Sequence, residues 1–414
     1  MKKKYFVLFA FILCALSGYS QVLKDSTNNK KFGISFSGFV RVEAAFDTRQ
    51  VNGYREQLIA LYPSNISLDK NGNDVNARPN FNQYAMSSRL TGIATGANAF
   101  GAKSMACLEG DFTGPSNVQN NVFRLRHAYI KLNWIKSELL IGQYWHPLTA
   151  PEIMPSMISI NTGTPYHPYS RHPQIRYSRV FGKLNLVAVA LSERDNTSTG
   201  PLGNTYEYLS SSIIPNMHLQ IHFKNEENFL LGVAADYRKL RLRFITDSLL
   251  KTNESIDCYA FSAFAKFKSE KFTIKLQSVF GQNLYEHLMM GGIGVQKIDT
   301  ATGKSTYTTL DQFTCWADIC SNNKNKLNTG LFLGYSKNLG SVHNIWGDSY
   351  GRGNDIAYTF RVSPRITWTT GNLKIASEFE YTAAAYGIPN WLGDVNDTKE
   401  LNNFRLLIAA FYTF

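Results

Sequence analysis

Phe404-Arg405-Leu406-Leu407-Ile408-Ala409-Ala410-Phe411-Tyr412-Thr413-Phe414 closes the chain. Counted back from Phe414, every second position is apolar or small: Tyr412, Ala410, Ile408, Leu406 and Phe404. Strict alternation suits a strand with two distinct faces, and a wholly apolar face ending in Tyr and Phe suits lipid. The reading is a last membrane-crossing strand, with Tyr412 and Phe414 as an assembly signal. The other end of the chain agrees. Lys2, Lys3 and Lys4 precede an apolar run from Tyr5 to Leu16, and Ser17, Gly18 and Ser20 follow. That is the layout of a secretory signal peptide, too short and wrongly flanked for a spanning helix. The chain thus divides into a signal peptide at 1–20, a short segment at 21–33 and a transmembrane β-barrel at 34–414. An exported chain that ends in a lipid-facing strand points to the outer membrane of a Gram-negative-type cell.

Composition fits a barrel better than it fits soluble domains. After the signal, no run reaches the ~18 apolar residues a helical span needs. Mean hydropathy is only −0.22, as expected where half of each strand faces water. The 22 Tyr and 27 Phe can supply interfacial girdles. The net charge of +12 is scattered, with no arginine-rich run or nucleic-acid motif, so no nucleic-acid partner is expected. Cys14 lies in the signal, and Leu13 before it is not the small residue a lipoprotein site wants. Cys107, Cys258, Cys315 and Cys320 form no CxxC pair and read as small strand residues, with a Cys315–Cys320 bridge left open.

Sixteen alternating segments can be placed between 34–47 and 402–414, so the expected fold is all-β, an antiparallel barrel of about sixteen strands. Short connections at 135–137, 182–183, 225–227, 268–270 and 369–372 alternate with long ones at 48–82, 146–173, 194–215, 283–308, 338–354 and 385–401. Outer-membrane barrels show this rhythm of short periplasmic turns and longer external loops. Within strands the faces separate. In 35–47, Val40, Val42 and Phe46 oppose Arg41, Glu43 and Asp47. In 355–368, Ile356, Tyr358, Phe360, Val362, Ile366 and Trp368 oppose Arg361, Ser363, Arg365 and Thr367. In 373–381, Ile375, Phe379 and Tyr381 oppose Lys374, Glu378 and Glu380. An ionised side chain on the lipid face costs about 2–4 kcal/mol at midplane, so the charged sets face water inside. Pro364 falls on the apolar face and suggests a bulge. In 123–134, Arg124 and Arg126 share parity with Ile130, Leu132 and Trp134, which a bulge near Ala128 would resolve.

The 146–173 loop follows the fifth strand. It is stiffened by six prolines and carries Tyr166, His167, Tyr169, Arg171 and His172. One reading folds it inward as a constriction; the other leaves it outside against a subunit neighbour. Arg41, Arg89, Arg124, Arg126, Arg176, Arg361, Arg365 and Arg405 recur at lumen-compatible positions. Guanidinium forks recognise carboxylate and phosphate, and basic rings select anions in pores. The alternative is that Glu43, Glu109, Asp111, Glu378 and Glu380 pair with them across strands. The loop histidines are expected to add positive charge below a pKa of about 6.5, strengthening anion preference in mild acid. His218 and His222 share a face with Gln220 but lack a visible third ligand, so neither metal nor cofactor is expected. Gly96 to Ser104 reads as a turn, and no G-x-S-x-G or H-E-x-x-H motif marks an enzyme. A passive porin is the first function, with an adhesion barrel or a barrel enzyme as alternatives.

Residues 83–223 resemble the DcaP-like porins. The resemblance is carried by Ser88-Arg89-Leu90, Leu108-Glu109-Gly110-Asp111-Phe112-Thr113-Gly114, Phe123-Arg124-Leu125-Arg126-His127-Ala128-Tyr129, Leu140-Ile141-Gly142-Gln143-Tyr144-Trp145 and Arg171-His172-Pro173-Gln174-Ile175-Arg176-Tyr177, in that order. It implies a trimeric outer-membrane channel for small anions, dicarboxylates typically, with arginines at the eyelet. Arg89, Arg126 and Arg176 fall in the matching motifs. The coiled-coil segment that precedes the barrel in some members is not expected here, since only about a dozen polar residues (22–33) come before the first strand.

Overall fold

The structure is a computed structural model that describes residues 32–225, 228–323 and 326–414. The expected signal peptide at 1–20 lies outside the described residues. Alternating sequence builds sixteen barrel strands. They are β1 (Gly33–Asp47), β2 (Asn80–Tyr84 continued by Arg89–Thr95), β3 (Lys103–Asp111), β4 (Arg124–Asn133), β5 (Ser137–Trp145), β6 (Arg171–Phe181), β7 (Leu184–Leu191) and β8 (Asn216–Asn225). The second half comprises β9 (Phe229–Arg241), β10 (Ser255–Lys268), β11 (Phe272–Gln282), β12 (Lys304–Ser321), β13 (Leu327–Asn338), β14 (Ile356–Thr370), β15 (Leu373–Pro389) and β16 (Val395–Thr413). Each pairs antiparallel with its neighbour in chain order, and β1 pairs with β16 from Phe39↔Thr413 to Asp47↔Arg405. Closure leaves no open edge, which a bilayer demands of any sheet that crosses it. Among the described residues no helix is long and apolar enough to cross a membrane.

The C-terminal strand shows how the two faces divide. Phe404, Leu406, Ile408 and Tyr412 are 40–55% exposed on the outside, whereas Arg405, Leu407 and Ala409 are at most 2% exposed inside. In the same way Val40, Val42 and Phe46 point out while Arg41, Glu43 and Asp47 are buried. On β15, Ile375 and Phe379 point out while Glu378 and Glu380 are buried. Backbone bonds from Gly38 N–H to Phe414 O (3.0 Å) and from Phe414 N–H to Gly38 O (3.1 Å) fasten the seam at the chain's last residue.

On β4 the expected bulge forms: the register shifts where Glu109 faces His127 and Gly110 faces Leu125, so the extra residue lies just before Ala128 and both Arg124 and Arg126 turn inward. Other expectations need correction. No bulge forms at Pro364, which pairs in register with Leu331; its missing donor costs one ladder bond, and the ladder to β15 resumes at Arg365 without a register shift. The shift on β14 falls instead between Ile356 and Tyr358 and buries Ile356 in the interior. The expected long loop at 385–401 is mostly strand, because β15 and β16 continue outward as a paired ribbon with a turn at 390–394. The 283–308 and 338–354 segments likewise carry strands, Gly291–Asp299 and Ser349–Arg352, paired with each other and with the outer end of β12. Cys315 and Cys320 are both free thiols.

Candidate functional site in the barrel lumen

Two segments occupy the lumen. The first lies between β1 and β2, where a hairpin (Val51–Tyr54 with Ile59–Pro63) dips inside and buries Leu58, Ile59, Leu61 and Tyr62. The second is the loop between β5 and β6. Its Ile158, Ile160 and Tyr169 pack on the hairpin and on Trp145, Leu407 and Ala409, so the lumen has its own apolar core. Burying one Leu or Ile side chain contributes about 1.5–3 kcal/mol, enough in sum to hold chain without regular structure inside a polar wall.

Polar groups of the wall then take up the loop's backbone. Glu378 accepts from the Ile158 N–H (2.8 Å) and the Ser159 N–H (3.1 Å). Asp318 accepts from the Ser156 N–H at 2.8 Å. Lys275 donates to Met154 O at 2.8 Å, and Arg41 donates to Ile158 O at 2.7 Å. Arg361 joins both segments, donating through Nη1 to Thr164 O (2.9 Å) and through Nη2 to Leu61 O (2.7 Å) and Ala60 O (3.2 Å). Tyr166 is fully buried, with its hydroxyl 3.0 Å from Thr359 Oγ1 and its ring under the Arg361 guanidinium. His167 is also buried, its Nε2 2.9 Å from Thr149 O.

The strand arginines fall into two groups. Arg89, Arg124 and Arg126 meet Arg171 on the wall of β2 to β6. Asp111 binds Arg124 (3.1 Å) and Arg126 (2.9 Å), and Glu109 binds Arg126 (2.8 Å) and lies 3.8 Å from Arg89. Asp195 binds Arg171 at 2.6 Å. Arg176 stands apart, 3.5 Å from Glu152 of the loop. Arg41, Arg361 and Arg365 lie on the other side under the loop, where Arg41 pairs with Glu43 and Arg365 with Asp318 (2.6 Å). His172 is buried beside the first group and accepts from the Arg194 N–H at 2.9 Å. Tyr412 and Phe414 are over half exposed on the lipid side.

Sequence reading placed Tyr169 only in the loop and missed two members of the first group: Arg55 and Asp195. Arg55 is 8% exposed and its Nε has no partner among the described residues. It reaches the patch because Arg55, Glu56 and Gln57 all take positive φ at the tip of the hairpin, and no residue type there signals this. Five arginines (Arg55, Arg89, Arg124, Arg126, Arg171) therefore face three carboxylates (Glu109, Asp111, Asp195), and Nε and Nη1 of Arg171 are left without partners. The excess shows on Tyr169. Burial works to raise its hydroxyl, but Arg171, Arg126 and Arg124 outweigh that and bring it down to about 7. Burial also works to raise Asp195, which Arg171 and Arg124 hold below the usual carboxylate range.

The histidines behave otherwise than expected. Burial pushes His167 down to about 4, so it does not gain charge in mild acid. His218 and His222 share the inner face as expected, but further donors stand beside His218: Asp236 at 3.0 Å, with His146 within 3.7 Å of the same carboxylate. These three donors are close enough for a metal ion. The hydrogen bonds oppose that use. His146 Nδ1 accepts from the Leu148 N–H (3.1 Å), so its Nε2 carries the proton and donates to Asn216 Oδ1 (2.9 Å), whereas a ligating histidine needs that Nε2 lone pair.

The comparisons agree with this geometry. The family model described as DcaP outer membrane protein matches residues 20–254. The outer membrane channel DcaP of Acinetobacter baumannii is 16% identical, with 94% of this chain and 99% of that one covered at a TM-score of 0.68. An anion-selective porin from Comamonas acidovorans is 8% identical, covering 93% and 100% at a TM-score of 0.57. OmpT of Vibrio cholerae is 10% identical, covering 94% and 99% at a TM-score of 0.56. At such identities the three structures speak for the barrel fold alone. No curated protein matches the chain. The family match spans more than half of the sequence, and the chain belongs to the DcaP outer membrane proteins: it is a porin-type barrel of the outer membrane, not an enzyme, and it lets solutes through.

Proposed function

We propose that the channel prefers small anions, with dicarboxylates as the typical solute, and that it works as a homotrimer after removal of a signal peptide at 1–20. The observation that carries the anion preference is the patch of five arginines against three carboxylates, with buried guanidinium nitrogens left unpaired. In a lumen narrowed by two inward segments, field lines concentrate and raise the local anion concentration. The constriction in this reading comprises Arg41, Arg89, Arg124, Arg126, Tyr166, His167, Arg171, His172, Arg176, Arg361 and Arg365. Trimer assembly follows from kinship with DcaP-like porins, and the charge of about +9 left without Lys2, Lys3 and Lys4 supports the selectivity. The test is the zero-current potential of the purified channel in a planar bilayer under a tenfold KCl gradient. A value on the chloride side is expected, and a value on the potassium side overturns the reading.

A further inference from the structure

A second basic cavity opens at the short-turn end of the barrel, away from the arginine patch. It has a volume of about 530 Å3 and is roofed by Ser156, Met157 and Ile158 of the inward loop. Lys266, Lys268, Lys275, Lys374 and Arg365 line it, and none of its lining residues is a carboxylate. Lys266 and Lys275 are direct cross-strand partners on β10 and β11. Like charges placed opposite one another destabilise an antiparallel pair. Asp318, the cross-strand partner of Lys275 on its other side, relieves this only in part, because Arg365 binds it at 2.6 Å and it lies 4.0 Å from Lys275 Nζ. Lys374 has an aromatic ring for company instead, its Nζ 4.0 Å over Phe411. Arg365 is 7% exposed, yet its Nη1 has no partner among the described residues. Lys266, Lys275, Lys374 and Arg365, with an unsatisfied buried donor, around a chamber of about 530 Å3 call for a ligand with several negative oxygens.

We propose that this vestibule binds a small di- or trivalent oxyanion, an inorganic phosphate or a short polycarboxylate, entering from the short-turn mouth. The inference rests on the reading of the lumen as an anion path and adds a second stop to it. A monovalent ion would leave most of the lysine repulsion in place, whereas a polyanion bridges Lys266, Lys275 and Lys374 at once. Because outer-membrane barrels keep short turns on the periplasmic side, the site faces the cell interior.

The experiment uses single channels in a planar bilayer, with citrate added to each side in turn and the long-loop side marked by a biotinylated loop residue. Wild-type channels should show brief, concentration-dependent current interruptions at lower citrate on the short-turn side than on the long-loop side. In Lys266→Gln/Lys374→Gln, which removes two cations that do not hold the loop backbone, half-block from the short-turn side should need about tenfold more citrate. Arg126→Gln should keep the asymmetry. Equal block from both sides in the wild type, or an unchanged half-block in the double variant, overturns the proposal. Lys275→Gln, which also releases Met154 O, gives an independent check, and heat-modifiable migration confirms that each barrel is folded. The zero-current potential reports on the anion reading separately, so a cation-selective channel that still shows one-sided citrate block would sink that reading and leave the vestibule standing.

Discussion

Replacing Arg361 with Met should release both inward segments while the barrel stays closed. The guanidinium is 1% exposed and donates to Thr164 O of the long loop and to Leu61 O and Ala60 O of the hairpin. Its Nε donates to Thr382 Oγ1 on the neighbouring strand at 2.9 Å, so the latch is fixed to the wall. Hydrogen bonds from a charged donor contribute about 1.5–3 kcal/mol each. Lumen water can take over the freed carbonyls, so the low end applies, about 2 kcal/mol per segment. At 1.4 kcal/mol per decade this raises the undocked fraction of each segment about thirtyfold. Glu380, 3.8 Å from Arg361, would be left buried with Asn161 as its donor partner among the described residues, a separate penalty. The companion Arg361→Met/Glu380→Gln removes that penalty and isolates the latch. The assay is single-channel recording, where larger conductance substates should appear in both variants, together with heat-modifiable migration, which should be unchanged. A variant whose substates and dwell times match the wild type would show that the segments are held by their apolar core alone, and the latch argument would fail.

Three further outcomes are expected. Deleting Phe414 removes both backbone bonds to Gly38 and should lower the yield of folded barrel in a refolding gel without changing the conductance of the channels that do form; full yield would count against it. Arg126→Gln/Arg176→Gln takes from Glu109 and Glu152 their nearest cations and leaves Asp111 with Arg124, so it should move the zero-current potential toward cations, whereas an unchanged potential would place the filter elsewhere. His167 is held near 4 when docked against about 6.5 when the loop is free, so docking is fully supported above about pH 6.5 and weakens as pH falls toward 4, by about 2 kcal/mol at pH 5. Conductance substates should therefore grow more frequent from pH 7 to pH 5 and revert in His167→Gln; a pH-independent record in the wild type would rule this out.

Much of the architecture was legible in sequence because a barrel in lipid has a two-residue period with a heavy penalty for error. Phe404 to Phe414, the Val40/Val42/Phe46 face and the charges opposite them admit one orientation, since a one-residue slip would put Arg41 and Glu43 into lipid. The strand count, the closing strand and the inward direction of Arg41, Arg124, Arg126, Arg361 and Arg365 follow from that constraint. The interior did not follow. The hairpin at 51–63 carries no periodic signal beyond the apolar run Leu58–Tyr62, and contact with Ile158, Ile160 and Leu407 together with the Arg361 bonds to Ala60 O and Leu61 O makes the lumen its place. Arg55 joins the arginine patch through three successive positive φ values. Arg361, readable only as a lumen arginine, became a latch because two carbonyl-bearing segments from 100 residues apart converge on it. His167 lost its expected charge because burial is a property of the fold. Lipid reads a sequence locally, two residues at a time, whereas the lumen is assembled from contacts between distant segments. The sequence by itself therefore determined the wall and its faces, and the tertiary structure decided what fills the pore and which cations remain unpaired within it.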